Sequence, residues 1–458
     1  MSAPDHRGRA FRYEGYHIDA AAGLLACRYS VDGRDFEERI ALSPDGRWDS
    51  PAARAAARLV FLLAGVSYYK TAAPDVVDLG RTAITDRERD FLYEFYLQGL
   101  AEFGYKNGID LTRLRIEAPT LSAPAPEPGS GTAARALVPF GGGIDSIVTM
   151  EHVRSRSDAA LFVVSRPGDR FAAIERPAAV AGLPVIRADR VIDPQLLRSR
   201  DLGFLNGHVP VTGILSAIAV LAAVLADRDA VVMSNEWSSS VPTLELGDRS
   251  INHQYSKSAS FEAGFRAALS SCGAAMPDYF SLLRPRTELW VAERFVGLKK
   301  YHDTFRSCNR AFHIDKSLRL DHWCGHCDKC CFIDLILAPF MPVADLERIF
   351  AGGDLPPIPG SREPLADLAQ ADRFRTLLAT SATPKPFECV GEVNECRAAV
   401  LLAAQRPDRA EHKLLHELAA EVAARPDSPS AAAAAELLRP VGEHFIPASL
   451  ATDEPALR

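Results

Sequence analysis

Apolar and polar positions change their spacing three times along the chain. From Phe11 to Leu42 the pattern reads as strands around turns, and the Asp32-Gly33 pair fits a hairpin connection. Helical spacing follows over Ala52 to Ala64 and again over Asp86 to Tyr105. The stretch from Leu121 to Ala133 is rich in Pro, Gly and Ser and reads as a linker. Strands and helices then alternate. Residues 136–140 form a short apolar strand, and a helix is expected from near Ile147. Residues 159–166 form a second strand, Ile174 to Ala181 a helix, and 184–190 a third strand. An apolar helix from Val211 to Ala226 precedes a fourth strand at 230–237. From Pro342 the pattern is mostly helical, over Val393 to Ala404, Ala410 to Ala424 and Ser428 to Leu438. The β-α-β-α order implies an α/β fold built on a parallel, doubly wound sheet. It predicts an α+β N-terminal domain (1–125), a central domain (126–340) and a helical C-terminal region (341–458).

Charge narrows the function classes. The formal net charge is -7, which argues against a large sequence-independent nucleic-acid surface, since that needs many phosphate-neutralising Lys and Arg. The polar N-terminus shows no secretory pattern. Residues 211–226 are short for a membrane span and read as a buried helix. Nine cysteines, several of them crowded into one segment, suggest reduced thiols and a metal site in a cytoplasmic protein.

The central domain carries the chemistry. Strand 136–140 runs straight into Gly141-Gly142-Gly143-Ile144-Asp145-Ser146. Glycines at this point leave backbone N–H groups unscreened, and a row of such donors opening onto a helix N-terminus binds anions. Ser146 can add a hydroxyl or cap the helix, and Asp145 can hold Mg²⁺ or orient the loop. The loop lacks the Lys-Ser/Thr ending of a Walker loop and is not a GxGxxG fingerprint. It resembles the SGGxDS signature of the N-type ATP pyrophosphatases, the PP-loop enzymes, with Gly141 in place of the usual Ser. That resemblance implies the family's sheet, ATP binding through Gly141, Gly142, Gly143, Asp145 and Ser146, and adenylation of a substrate.

A second motif lies at Asp321-His322-Trp323-Cys324-Gly325-His326-Cys327-Asp328-Lys329-Cys330-Cys331. Cys324, Cys327 and Cys330 at two-residue intervals can point thiolates at one tetrahedral cation. Cys308 upstream is the leading candidate for a fourth ligand, with His322, His326 and Cys331 as rivals. PP-loop enzymes that make the nitrile of 7-deazaguanine have a similar arrangement. The expectation is a structural Zn²⁺ on Cys308, Cys324, Cys327 and Cys330, with an iron–sulfur cluster as the alternative. Cys27, Cys272, Cys389 and Cys396 read as small buried hydrophobes.

Between the motifs, residues 234–266 are dense in polar groups yet begin at the end of a buried strand, where loops carry function. Glu236, His253 and Lys257 are candidates for acid/base work or for gripping an anionic substrate. Asn206 to Gly213 can line an adenosine pocket or cap a helix. Arg284, Arg286, Lys299 and Lys300 can meet phosphates. Lys70 can face the active site, while Tyr68 and Tyr69 read as core.

The order of these segments resembles the UDP-N-acetyl-α-D-muramoyl-L-alanyl-L-glutamate epimerase family. That resemblance implies an ATP- and Mg²⁺-dependent inversion of the terminal glutamate of a peptidoglycan precursor, with AMP and pyrophosphate released. The partner is then a small UDP-muramoyl dipeptide, not a nucleic acid or a membrane. Glu236, His253 and Lys257 are the expected carriers of the α-proton. Because glutamate racemases use a cysteine pair, Cys308 and Cys331 stand beside them. Alternative readings are a 7-deazaguanine nitrile synthase-like ligase, a tRNA-modifying PP-loop enzyme, and a zinc-bearing interaction protein.

Overall fold

The computed structural model describes residues 7–125, 132–246, 249–355, 362–381, 383, 386–388 and 390–451. The strands are β1 (Phe11–Asp19), β2 (Leu24–Val31), β3 (Arg34–Ala41), β4 (Val76–Asp78), β5 (Arg115–Glu117), β6 (Ala136–Pro139), β7 (Ala160–Ser165), β8 (Val185–Val191), β9 (Ala230–Met233), β10 (Leu244–Leu246), β11 (Arg249–Ile251) and β12 (Asp278–Ser281). Among the described residues β10 and β11 pair only with each other, and the rest form one sheet in the order β12-β9-β6-β7-β8-β3-β2-β1-β4-β5. From β12 to β8 every pairing is parallel. β8 then pairs antiparallel with β3, which joins the β1-β2-β3 meander to the parallel half. The fold is therefore a mixed α/β one with a large, mostly parallel sheet.

Helices pack on both faces. The first part contributes α1 (Pro51–Ala64), α2 (Val66–Tyr69), α3 (Asp86–Gly99) and α4 (Ala101–Asn107). The middle contributes α5 (Ile144–Val153), α6 (Ala172–Ala181), α7 (Pro194–Leu197), α8 (Val211–Leu225), α9 (Ala259–Ser270), α10 (Glu288–Val296) and α11 (Asp328–Leu337). The last part contributes α12 (Val343–Phe350), α13 (Ala371–Leu377), α14 (Val393–Ala404), α15 (Lys413–Ala423) and α16 (Ala431–Glu436). Local chemistry sets several of these ends. Ser50 accepts a bond from the Ala53 N–H ahead of Pro51, and Thr85 and Glu88 form a capping box. The single helix expected to Tyr105 breaks at Leu100, where the backbone leaves the helical region. The helix expected near Ile147 begins at Ile144, because Gly143 is extended and serves as its cap.

Strand side chains alternate between two cores, as the two-residue period requires. Leu137, Ala160, Phe162 and Val231 enter one core with α1, α8 and α9. Val138, Leu161, Val163 and Val232 enter the other with α5, α10, α11, α14 and α15. The sheet thus separates the N-terminal helices from the C-terminal ones. α8 is apolar on nearly every side because it is wrapped by α1 and the sheet. Among the described residues no helix is long and apolar enough to cross a membrane. Tyr68 and Tyr69 are buried core, as expected, and Cys27 and Cys396 are buried while Cys272 is half-buried. Cys389 and residues 126–131 of the expected linker lie outside the described residues.

The sheet does not stop at residue 125. The β3–β8 seam carries a buried polar lock: the Arg190 Nε donates to Glu38 Oε1 at 2.7 Å, and the Tyr68 hydroxyl donates to Glu38 Oε2 at 2.9 Å. Glu38 is fully buried. Removing one partner of such a pair strands the other charge away from water. Glu38→Ala should therefore lower the free energy of unfolding by about 3–5 kcal/mol, read from denaturant melts. A loss below about 1 kcal/mol, the range of exposed pairs, would show that the seam does not depend on this lock.

Candidate active site

In the parallel half, β6 is the first strand. β7 and β8 extend the sheet to one side of it, while β9 and β12 extend it to the other. The order reverses between β6 and β9, and ligands of such sheets bind in the crevice beyond the carboxyl ends of the strands at this point. The glycine loop follows β6, and Ser234 to Glu236 follow β9.

The three glycines have different roles. Gly142 has φ +76°, and a Cβ there would sit 2.1 Å from the Ala173 carbonyl oxygen, so no other residue fits. At Gly143 a Cβ would meet the Ser307 hydroxyl at 2.9 Å. Gly141 is exposed, with nothing within 4 Å of a Cβ. A serine would fit there, so Gly141 removes a hydroxyl without being sterically required. The loop delivers the chain to the N-terminus of α5, whose unpaired N–H groups and dipole favour an anion. Ser146 does not face outward as a free donor: its hydroxyl donates to the Gly143 carbonyl at 3.0 Å.

Three carboxylates converge beside the loop. Asp145 in the first turn of α5, Glu236 after β9 and Glu288 at the start of α10 each offer an oxygen within 4.8 Å of the others. Burial, and then the charges of Asp145 and Glu236, push the Glu288 pKa well above the usual carboxylate range, while Lys329 opposes the shift. Glu395, in the first turn of α14, adds a fourth carboxyl near the group. Its carboxylate accepts the Leu289 N–H at 3.1 Å. Burial raises its pKa to about 8 against the Ser238 hydroxyl and the Leu289 N–H, which lower it. An all-oxygen donor set under this much mutual repulsion suits a hard divalent cation.

Other residues picked from the sequence are placed elsewhere. His253 lies against Glu102 of α4 and His208, with ligand atoms within 4.8 Å. Lys257 donates through Nζ to Gln254 Oε1 at 3.1 Å, and its carbonyl accepts from the Arg284 Nη2 at 2.6 Å. Arg284 is a buried clip: it also holds Glu262 at 2.9 Å and the Glu236 carbonyl at 3.0 Å. Arg286 stacks on the Trp290 ring at 4.5 Å, and Lys300 pairs with Glu151 at 3.0 Å. Glu102, Glu288 and Glu395 escape sequence reading because each is an acidic residue in the first turn of a helix, a position common for dipole reasons alone.

The four cysteines do converge. The sulfurs of Cys308, Cys324, Cys327 and Cys330 lie within 4.8 Å of one another. The Cys324–Cys330 and Cys327–Cys330 separations are 3.6 and 3.5 Å, near the edge of about 3.8 Å for a tetrahedron with Zn–S bonds of about 2.3 Å. The donor set therefore fits zinc. Cys331 points instead toward Gln370, and burial raises its thiol pKa. His322 bonds Asp321 at 2.9 Å. The cluster is tied to the phosphate loop: two residues before Cys308, the Arg306 N–H donates to the Gly142 carbonyl at 3.3 Å.

Comparisons with known proteins give the family. The MurL N-terminal domain model matches residues 2–282, and the MurL C-terminal domain model matches residues 304–433. A protein of Xanthomonas oryzae pv. oryzae is 37% identical over 98% of each chain. One of Micromonospora sp. is 38% identical over 96% of each, and one of Salinispora tropica is 38% identical over 87% of this chain and 85% of its own. All three carry the name UDP-N-acetyl-alpha-D-muramoyl-L-alanyl-L-glutamate epimerase. No solved structure matches. With both paired domain models and near full-length relatives in agreement, the chain belongs to the MurL family of UDP-N-acetyl-α-D-muramoyl-L-alanyl-L-glutamate epimerases.

Proposed function

We propose that the protein inverts the terminal L-glutamate of UDP-N-acetylmuramoyl-L-alanyl-L-glutamate in the cytoplasm, after ATP-dependent adenylation of the glutamate carboxylate. The observation that carries the reading is the glycine loop and the Asp145–Glu236–Glu288 cluster meeting at the switch point of the sheet. Family membership supplies the substrate class.

An α-proton beside a carboxylate is hard to remove, because its loss piles a second negative charge onto one carbon–oxygen system. Adenylation neutralises the carboxylate first. In this scheme the carboxylate oxygen bonds to the α-phosphorus of ATP, the bond to the β-phosphate oxygen breaks, and pyrophosphate leaves. The N–H groups of the glycine loop and of the α5 N-terminus grip the departing pyrophosphate. Asp145 and Glu288 would hold Mg²⁺, which would supply neutralisation of the phosphate charge. Glu236 then takes the α-proton. Glu395, whose pKa of about 8 favours its protonated form at neutral pH, is the acid that supplies the returning proton. Water cleaves the acyl-adenylate to AMP and the inverted product. Cys308, Cys324, Cys327 and Cys330 would hold a structural Zn²⁺ with all four positions filled by sulfur, which would tie the 306–308 segment to the loop.

Three outcomes follow. Incubated in D₂O with the UDP-muramoyl dipeptide, ATP and Mg²⁺, the protein should release AMP and place deuterium on the glutamate α-carbon, read by mass spectrometry. AMP without deuterium would mean another acyl activation, and neither signal would remove the reading. Asp145→Asn should cut AMP formation at least about 100-fold, whereas Glu236→Gln should cut deuterium incorporation about 100-fold and AMP release far less. Equal losses of both signals in Glu236→Gln would reassign that residue to the cation. Purified protein should contain zinc, and Cys308→Ser should lose it together with stability on the order of several kcal/mol. Iron with visible absorption would instead establish a cluster.

A further inference from the structure

Three segments that the reaction above leaves unused meet at one place. Lys70 follows α2, His208 precedes α8 and His253 follows β11. Both histidines lie at the carboxyl edge of the sheet, the edge that also carries the glycine loop. The two imidazole rings are 4.2 Å apart between centroids, tilted by 41°. Glu102 of α4 holds this pair from the N-terminal side. One carboxylate oxygen bonds His253 Nδ1, and the other takes Lys106 Nζ at 2.5 Å.

Lys70 is the informative residue. Its ammonium donates to Asn206 Oδ1 at 2.9 Å and to the Gly207 carbonyl at 3.0 Å, both neutral acceptors. Among the described residues no carboxylate forms an ion pair with it. Partial burial lowers its pKa to about 8, and a half-buried ammonium without a counter-charge is held less favourably than one in water. Burial and the neighbouring His253 lower the His208 pKa to about 4, with Lys70 and Lys106 adding to the effect and Glu102 opposing it. Of the two ammonium groups near His208, only Lys106 has a carboxylate partner, Glu102. The place is open to solvent, since Asn206, Tyr105 and Lys106 are exposed around it. The ring of Phe387 borders it, 6.5 Å from His253 and 4.9 Å from the Lys106 Nζ.

A metal ion is the other ligand that two histidines and a glutamate could take. Here Glu102 is already shared with Lys106, and two lysines would repel a cation. An anion has the opposite balance: it would gain Lys70 and the imidazoles and relieve their repulsion.

We propose that Lys70, His208 and His253 form an oxyanion subsite that grips a phosphate or carboxylate of the molecule activated at the glycine loop. This rests on the epimerase reading for the identity of that molecule. Its oxyanions come from two sources, the diphosphate of the nucleotide sugar and the free carboxylate of the terminal glutamate. Glu102 is a positioning residue: it orients His253 and keeps Lys106 to the side.

Calorimetric titration of the full chain with UDP and with N-acetyl-L-alanyl-L-glutamate separates the sources. Lys70→Met should weaken one of the two about tenfold or more, the scale of a lost charge-assisted hydrogen bond, and Lys70→Arg should restore most of it. Loss confined to UDP assigns the diphosphate, and loss confined to the dipeptide assigns the carboxylate. The Lys70→Met protein should melt close to the parent, because a half-buried charge without a counter-charge is removed. Equal affinity of both probes for parent and Lys70→Met, or binding of neither probe to the parent, overturns the subsite. ATP affinity measured on the same samples should not change. An absence of ATP binding would sink the adenylation scheme and leave the oxyanion result to stand or fall separately.

Discussion

Repulsion among carboxylates crowded at the carboxyl end of the sheet is the constraint around which this molecule is arranged. Asp145, Glu236 and Glu288 come within 4.8 Å of one another, and Glu395 accepts the Leu289 N–H near them. Buried groups of one sign do not stay together unless something holds them. Two helix N-termini lend partial positive charge, Lys329 lends a full one, and burial pushes the Glu288 and Glu395 pKa values up. An all-oxygen set under such repulsion suits a divalent cation.

Elements far apart in sequence hold that set in place. Arg284 joins the Glu236 carbonyl, the Lys257 carbonyl and Glu262 in one buried set of bonds. The cysteine cluster anchors the segment whose Arg306 N–H reaches the Gly142 carbonyl. C-terminal helix α14 brings Glu395 to the Leu289 N–H at the start of α10, so the last part of the chain reaches the carboxylate cluster as well as covering a core. Rigid supports of this kind matter, because a reacting group misplaced by about 1 Å can lose on the order of a hundredfold in rate.

Much of this was legible in the sequence. The strand running into Gly141-Gly142-Gly143 was clear because only glycine meets the steric demand at Gly142, and the cysteine spacing was clear because few other chemistries need it. The strands β6 to β9 showed as apolar runs. β12, with the sequence DYFS, is too short and mixed to read. The joining of the N-terminal strands to the parallel half was invisible, since pairing of β3 with β8 across about 150 residues leaves no local pattern. Glu288 and Glu395 were missed because an acid at a helix start is ordinary. His253 was noticed as a loop histidine, but its partners Glu102 and His208 come from other segments, and only the fold brings them together.

The continuous sheet has a consequence for how this chain can be divided. β8 is an interior strand only because β3 lies beside it, and α8 is covered only because α1 lies across it. A shortened version that begins after the linker would present a bare row of backbone donors and acceptors along β8 and an uncovered apolar helix face. Surfaces of that kind recruit other copies of themselves. The N-terminal third is therefore the sheet's own guard against self-association, and the catalytic half would not remain dispersed without it.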